Sequence, residues 1–595
     1  MIAALAPYAA PDVAGQWSDQ SALIAQALHH NTPSSLAERT PEICLETGRI
    51  IASWVRLDNR DELCGMLGMR DHLSLSDPQI ILAAHRQWGG DCAGKLEGDF
   101  SFVIHDPARQ EAFCARDAIG VKPLFYTQTD THFILSTSVA AIKRVDGIQF
   151  APNRKWIALF ASGFSLADEE TAYSGVQRLA PGHHLTIRQG KAGQPRGYHA
   201  FNLSAPHSTQ RNPMWVERYS SAFDRAVDVR SRSQFLVGAE SSGGLDSASI
   251  LARLVEVVPH NRDHLHTHSL VAHQREIDLL DELNSQLGLS QTHSDIRPAT
   301  LRVDESVERA ITAIGHPPEH GQPLLSADFF SNAQTLGIRT VLSGFGGDEI
   351  ATSYAKHLVD ELHHRREWRA VFGEIEGGPL RRSLRFARRI VEGPNDPHAG
   401  MHAQLSAKLA GSFVSREFLE DSGLRKQIED WMLPDIGECT LNRIAALSPG
   451  FHRGRTGRLE ASALFAATYG IEYRFPFYDR RLIQQFLDTP SIEKRRGSMG
   501  RYLHRRALSN RVPDGIVWQP TKDMGPALGG EFCFASYPPL HFNNLPPVLK
   551  EISNRKAFED AQSLVTDPPN PMDPAVMRAR HLMWHTRQLC LWLKE

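Results

Sequence analysis

Gln234-Phe-Leu-Val-Gly-Ala-Glu240-Ser241-Ser242-Gly243-Gly244-Leu245-Asp246-Ser247 is the stretch on which the reading of the fold turns. An apolar, β-prone run gives way to Ser-Ser-Gly-Gly, and the apolar positions from Ala248 to Val258 fit a helix buried on one face. The pattern predicts strand, tight glycine turn, helix. Such a turn aims several backbone N–H groups and a helix N-terminus at one spot, which suits phosphate or pyrophosphate. Gly243 and Gly244 let the backbone come close, Ser242 and Ser247 can donate hydroxyls, and Asp246 can hold a cation beside the anion. A Walker-type loop carries Lys after its last glycine, whereas Leu245-Asp246 stand here.

A second turn has the same character: Thr340-Val-Leu-Ser343-Gly344-Phe345-Gly346-Gly347-Asp348-Glu349. One Gly-Gly-Asp is most simply a loop. Two such turns, each after an apolar strand, favour a shared site in which Ser343, Gly344 and Gly347 join the first loop around a pyrophosphate. Asp246 and Asp348 would together hold Mg²⁺, an ion that takes a few carboxylates and leaves its other positions to phosphate and water. A strand is expected over Leu265 to Val271, with Val271 at the nucleotide edge, and a helix follows through Glu276 to Leu287. Alternating strands and helices predict a doubly wound parallel sheet that binds ligands beyond the carboxyl ends of its strands.

Upstream the pattern changes. Arg49 to Leu57, Phe100 to His105, Glu111 to Ala115 and His132 to Ser136 read as strands, with a helix expected over Asp77 to Trp88. This predicts a β-rich α+β domain, followed by a polar linker at Asn202 to Asn212 and a helix over Met214 to Arg230. With 595 residues the chain is long enough for two or more cores. A net charge of −3 requires no nucleic acid or other highly charged partner. Seven scattered cysteines without a CxxC pair fit a reducing cytoplasm. The opening residues lack a basic signal-peptide region, and no stretch is apolar for the length of a membrane span. The expected location is the cytoplasm.

The Ser242 to Ser247 string, SGGLDS, resembles the SGGxDS loop of the ATP pyrophosphatases, and the wider chain resembles the asparagine synthetases. Leu96 to Asp106, Cys114 to Tyr126 and Leu179 to Ile187 are similar to their glutaminase domain, and Ser343 to Glu349 is similar to their SGxGxDE turn. Ile471-Glu-Tyr-Arg-Phe-Pro-Phe-Tyr-Asp479 resembles their vExRxPFLD signature, Arg496 to Ala507 the basic helix after it, and Trp518 to Gly525 their R-x-K-x-G loop. The resemblance implies an Ntn-type, class II glutamine amidotransferase-like domain over residues 1–203 and an ATP-pyrophosphatase domain over 204–595. It also implies ATP and Mg²⁺ as cofactors and Lys522 as the cation on the α-phosphate or the oxyanion.

The departures carry as much information. The family's N-terminal cysteine is replaced by Met1-Ile2, the first cysteine being Cys44, and the glutamine-holding NGEIYN stretch by Ala52 to Arg60. An internal cysteine has no adjacent α-amine to act as base. The expectation is an inactive glutaminase domain kept as a scaffold or docking surface. Phe345 stands where the family's Glu serves ammonia, and an apolar ring neither positions nor deprotonates it. Relatives of this kind use an amine already in the substrate. The β-lactam and carbapenam synthetases pair a Tyr with a Glu upstream of the PFxD aspartate, and Glu460, nineteen residues before Asp479, matches that Glu. The Tyr falls on Phe345, so the pair is incomplete.

The reading favoured is a lasso peptide cyclase, joining the N-terminal amine of a precursor peptide to an Asp or Glu side chain. Its partners would be that peptide and a leader-peptide-processing protease or recognition protein, without nucleic acid or membrane. A β-lactam-type synthetase, an ammonia-using asparagine synthetase and a non-catalytic nucleotide-binding docking protein are the alternatives. His316-Pro-Pro-Glu319-His320 spells HxxEH, but its prolines deny the regular helix that this zinc motif needs. Arg381, Arg382, Arg385, Arg388 and Arg389 space charge along a helix, a solvated face or a docking surface. Pro538 to Pro574 reads as a loop-bearing excursion, and Met577 to Leu593 as a closing helix that packs.

Overall fold

The architecture is that of a computed structural model describing residues 10–594 apart from 70–73, 165–168, 259–264, 272, 291, 297–302, 321–323, 325, 439, 449, 521–537, 569 and 571–572. The period-two strands of the first domain form an antiparallel sheet in the order Lys191–Ala192, His183–Arg188, Glu111–Arg116, Gly98–Asp106, Ile50–Leu57, Glu42–Ile43, with Arg196–Gly197 also paired to His183–Arg188. The helix Asp77–Trp88 covers one face, putting Ile80, Ile81 and Ala84 in a cluster with Ile51, Phe102 and Ile104. It starts at Asp77 because Ser76 and Gln79 form a reciprocal capping box, each side chain accepting from the other's backbone N–H at 3.1–3.4 Å.

The second domain is built on a five-stranded sheet in which every pairing is parallel: His293–Ile296, Leu265–Leu270, Leu236–Glu240, Ile338–Leu342, Glu472–Arg474. In chain order this is 3-2-1-4-5. The direction of winding reverses between Leu236–Glu240 and Ile338–Leu342, the point at which an open α/β sheet leaves a crevice beyond its strand ends. The expected helices are present as Pro213–Ser231 and Gln274–Leu287. Pro538 to Pro574, expected as a loop-bearing excursion, also carries helices. It contains the helices Pro547–Ile552 and Arg555–Thr566, because Pro547 sits in a first turn, where its missing N–H costs nothing, and the Asn554 side chain accepts from Ala557 N at 3.0 Å. The closing helix, Pro574–Trp592, packs as expected: Trp592 Nε1 donates to the Tyr173 hydroxyl at 2.7 Å. Among the described residues no helix is long and apolar enough to cross a membrane.

Hydrophobic and ionic contacts both join the two domains. One apolar cluster runs from Phe125, Trp156 and Ile157 through Val237, Leu342 and Phe465. Beside it, Arg56 binds Asp58 at 3.0 Å and Asp99 at 2.7 Å, and Lys122 reaches Glu472 at 3.2 Å. On the far side Arg474 holds Glu472 at 2.7 Å, and Arg230 holds Asp479 at 2.6 Å. Burial by itself would raise the Glu472 carboxyl, but Arg474, Lys122 and Arg56 hold it well below the usual carboxylate range. The signature residues Glu472, Arg474 and Asp479 thus fasten the last strand to its neighbours and to the first domain.

Candidate functional site

The two glycine turns leave adjacent strands at the reversal point. After Leu236–Glu240 the chain passes Ser241 to Gly244 and enters the helix Leu245–Val257, with Asp246 in its first turn. Ser242 N donates to Ser247 Oγ at 3.1 Å, the two hydroxyls lie 3.1 Å apart, and Ser247 Oγ donates to Gly244 O at 3.2 Å. This closes the loop over the helix N-terminus, whose first N–H groups have no partner within the helix, the arrangement that suits an anion. Ser343 N donates to Arg474 O at 2.9 Å and its hydroxyl to Glu240 at 2.5 Å, which seats the second turn against the first strand. Val271 is buried just past the end of Leu265–Leu270, on the same sheet edge.

The turns touch because neither Gly344 nor Gly347 has a side chain. A Cβ on Gly347 would lie 2.4 Å from Asp246 Cγ, and one on Gly344 3.1 Å from Ser247 N. Gly347→Ala is therefore expected to displace the Asp246 carboxylate. Pyrophosphate release from ATP should fall by about 100-fold or more, with the circular dichroism spectrum unchanged; near-normal release would mean that the turns do not act together.

Asp246 and Asp348, expected from the sequence to share Mg²⁺, both meet a cation of the chain itself. That cation is Arg501. Its Nη2 contacts Asp246, and its Nη1 lies 3.0 Å from Asp348 Oδ1. Thr352 Oγ1 accepts from Arg501 Nε at 3.1 Å and donates to Asp246 Oδ1 at 3.1 Å. Arg501 sits at φ +60°, a left-handed conformation uncommon outside glycine, held by these partners just before the helix Tyr502–Ala507. Burial, reinforced by Arg505, lowers its guanidinium to about 9. The two carboxylates meet different nitrogens of Arg501, and as hard-oxygen donors beside a phosphate-type loop they are the residues that would hold Mg²⁺. Nothing in the sequence separated Arg501 from Arg495, Arg496, Arg505 and Arg506, so its role was not foreseen.

Beyond the loops, the wall is aromatic and cationic. The Arg458 guanidinium stacks on the Phe345 ring at 3.5 Å, with Tyr478 edge-on to the same ring at 5.2 Å. Burial raises Glu349, whose side chain accepts from Gly346 N at 3.1 Å. Glu460 must be corrected. It lies on the same helix as Arg458, Arg455–Ala467, but is 4% exposed and fully engaged. Arg178 Nε donates to both of its oxygens at 2.9 Å, and Arg116 Nη2 lies 2.7 Å from Oε1. Both of its oxygens are thus occupied by guanidiniums of the first domain rather than turned to a substrate amine. Glu319 of the HxxEH string belongs to the same network, accepting from Trp156 Nε1 at 2.9 Å and Arg178 Nη2 at 3.0 Å. Lys522 lies outside the described residues.

Known proteins share this arrangement in sequence. The family model for asparagine synthase matches residues 218–533, and that for a glutamine amidotransferase domain matches residues 59–199. Asparagine synthetase [glutamine-hydrolyzing] 3 of Bacillus subtilis (strain 168) is 22% identical over 481 residues, 78% of this chain and 73% of that protein. Asparagine synthetase [glutamine-hydrolyzing] 1 of the same organism is 23% identical over 462 residues, 74% of this chain and 70% of that protein. A putative asparagine synthetase 2 of Methanocaldococcus jannaschii is 27% identical over 289 residues, covering 48% of this chain and 55% of its own.

Proposed function

This chain belongs to the asparagine synthase family of ATP-dependent amide-forming ligases, and from that premise we propose that it is a peptide macrolactam synthetase of the lasso type. The Asp or Glu side-chain carboxylate of a precursor peptide attacks the α-phosphorus of ATP. An acyl-adenylate forms, and pyrophosphate leaves with the electrons of the broken P–O bond. The peptide's neutral N-terminal amine then attacks the acyl carbon, AMP departs with the C–O bonding electrons, and the amine's proton is released. The Ser241 to Ser247 and Ser343 to Asp348 turns would hold the phosphates, with Asp246 and Asp348 on Mg²⁺. The bound ion would neutralise charge on the leaving pyrophosphate. Lys522 would offset charge on the α-phosphate or oxyanion.

The observation that carries this reading is Arg458 stacked on Phe345. At the position where an ammonia-using relative keeps a carboxylate, this wall presents an aromatic ring capped by a cation, which repels ammonium. A peptide α-amine has an ordinary pKa near 7.7–8.0, so roughly a tenth is neutral at pH 7 without a strong base. The engagement of Glu460 with Arg116 and Arg178 speaks against the β-lactam type, which needs that carboxylate on the amine. The ionic closure of the domain boundary by Arg56, Lys122 and Glu472 favours a first domain that no longer hydrolyses glutamine and serves as a scaffold.

Incubation with ATP, Mg²⁺ and candidate precursor peptides from the genomic neighbourhood should yield pyrophosphate, AMP and a peptide lighter by one water. No pyrophosphate with any substrate would refute adenylation. Turnover of free aspartate with ammonium would refute the macrolactam reading alone.

A further inference from the structure

The helix Pro379–Glu392 has no buried residue, although it carries five large apolar side chains. With ~3.6 residues per turn its side chains fall into three sectors. Arg382, Phe386 and Arg389 are half-buried and hold the helix to the body. Arg382 donates to Phe372 O at 2.7 Å and Gly373 O at 2.8 Å, Phe386 meets Phe372 edge-on at 5.3 Å, and Arg389 pairs with Asp360. The opposite sector holds Leu380, Leu384, Ala387 and Val391, and the first, second and last are 75%, 62% and 86% exposed. Arg381, Arg385 and Arg388 stand exposed along one flank of this stripe, where Arg385 donates to Glu376 O at 2.9 Å and Arg388 pairs with Glu392 at 2.8 Å, leaving the flank basic on balance; Ile390, 45% exposed, borders the other side.

The stripe is narrow, and its spacing of four, three and four residues is that of a coiled-coil seam. A helix lying in a lipid interface presents a broader apolar face, whereas here an arginine follows directly after each leucine. The basic flank also selects the partner. A second copy of this chain packed antiparallel would set arginines against arginines, and packed parallel would set them against Ser383 and Ile390, whereas an acidic helix would pair with them in either direction.

We propose that Pro379–Glu392 is the docking site for an amphipathic helix of another protein, apolar along one seam and bearing Asp or Glu beside it. The position is connected to the candidate site. Just before the helix, Glu376 accepts from Ser498 N at 2.7 Å and Ser498 Oγ at 2.9 Å, and Glu374 accepts from Gly497 N at 2.8 Å. The same loop continues to Arg501, which holds Asp246 and Asp348. The proposal stands independently of which carboxylate the enzyme activates.

The test titrates the full chain into a fluorescent synthetic peptide helix with Leu at its seam positions and Glu on both flanks, read by anisotropy. A Lys-flanked counterpart and phosphatidylcholine/phosphatidylserine vesicles are the other arms. The Glu peptide should bind, more weakly as salt is raised. Leu384→Glu with Val391→Glu should weaken binding about tenfold or more, and Arg381→Ala with Arg385→Ala and Arg388→Ala should flatten the salt dependence. These residues are exposed, so the variants should melt as the parent does. No binding of the Glu peptide, equal binding of the Lys peptide, or undiminished binding by the Leu384/Val391 variant would overturn the proposal. Vesicle binding that this variant abolishes would overturn it in favour of a membrane surface.

Discussion

Asp246→Ala should abolish ATP-dependent pyrophosphate release, by about 10³-fold or more, in a protein that still folds. Asp246 stands in the first turn of Leu245–Val257, where the helix N-terminus and the glycine turn create an anion site that needs a cation beside it. Its carboxylate is met by Arg501 and Thr352 and touches the backbone of Gly347. Removing it takes away one of the two carboxylates proposed to hold Mg²⁺ and leaves Arg501 with Asp348 and Thr352. Asp246→Asn keeps the shape without the charge and should fail almost as badly, which separates electrostatics from packing. Radiolabelled pyrophosphate exchange in the presence of a competent substrate measures both variants; a rate within a few-fold of the parent for either would remove Asp246 from the chemistry.

Glu472→Gln should produce the largest loss of stability. The residue is buried between Arg474 and Lys122, with Arg56 at 3.6 Å. Breaking one member of a buried ionic group leaves uncompensated charge, at a cost of about 3–5 kcal/mol. Because the partners come from both domains, calorimetry should show a lower melting temperature and a splitting of the transition into two. The pH dependence has a defined sign. The folded carboxyl lies below its ordinary value of 4.5, so its stabilisation is present above that pH and is lost as the pH falls further. The variant should lack this part of the acid sensitivity. A single transition at the parental temperature would show that the network does not couple the domains.

The strand, turn and helix around SSGGLDS were legible because each depends on near neighbours: apolar period, glycines, and a polar first turn. The same holds for the second glycine turn. Within the loop-bearing stretch Pro538 to Pro574 the helices were less legible, because proline marks a loop as readily as a helix first turn, the place Pro547 takes, and only the fold shows Asn554 as a cap. Arg501 was missed inside a basic run whose members look alike until one reaches Asp246 and Asp348. Glu460 was misassigned because its partner Arg178 lies 282 residues away in the other domain.

By itself the sequence determined that two glycine-rich turns each follow an apolar strand, and that an apolar ring, Phe345, stands inside the second of them. Only the tertiary structure decided which charges meet: Arg501 with Asp246 and Asp348, Arg458 with Phe345, and Glu460 with Arg116 and Arg178. Backbone conformation is set largely within a few residues along the chain. The chemical availability of a carboxylate is set by whatever charge the fold brings within a few ångströms, from any distance in sequence.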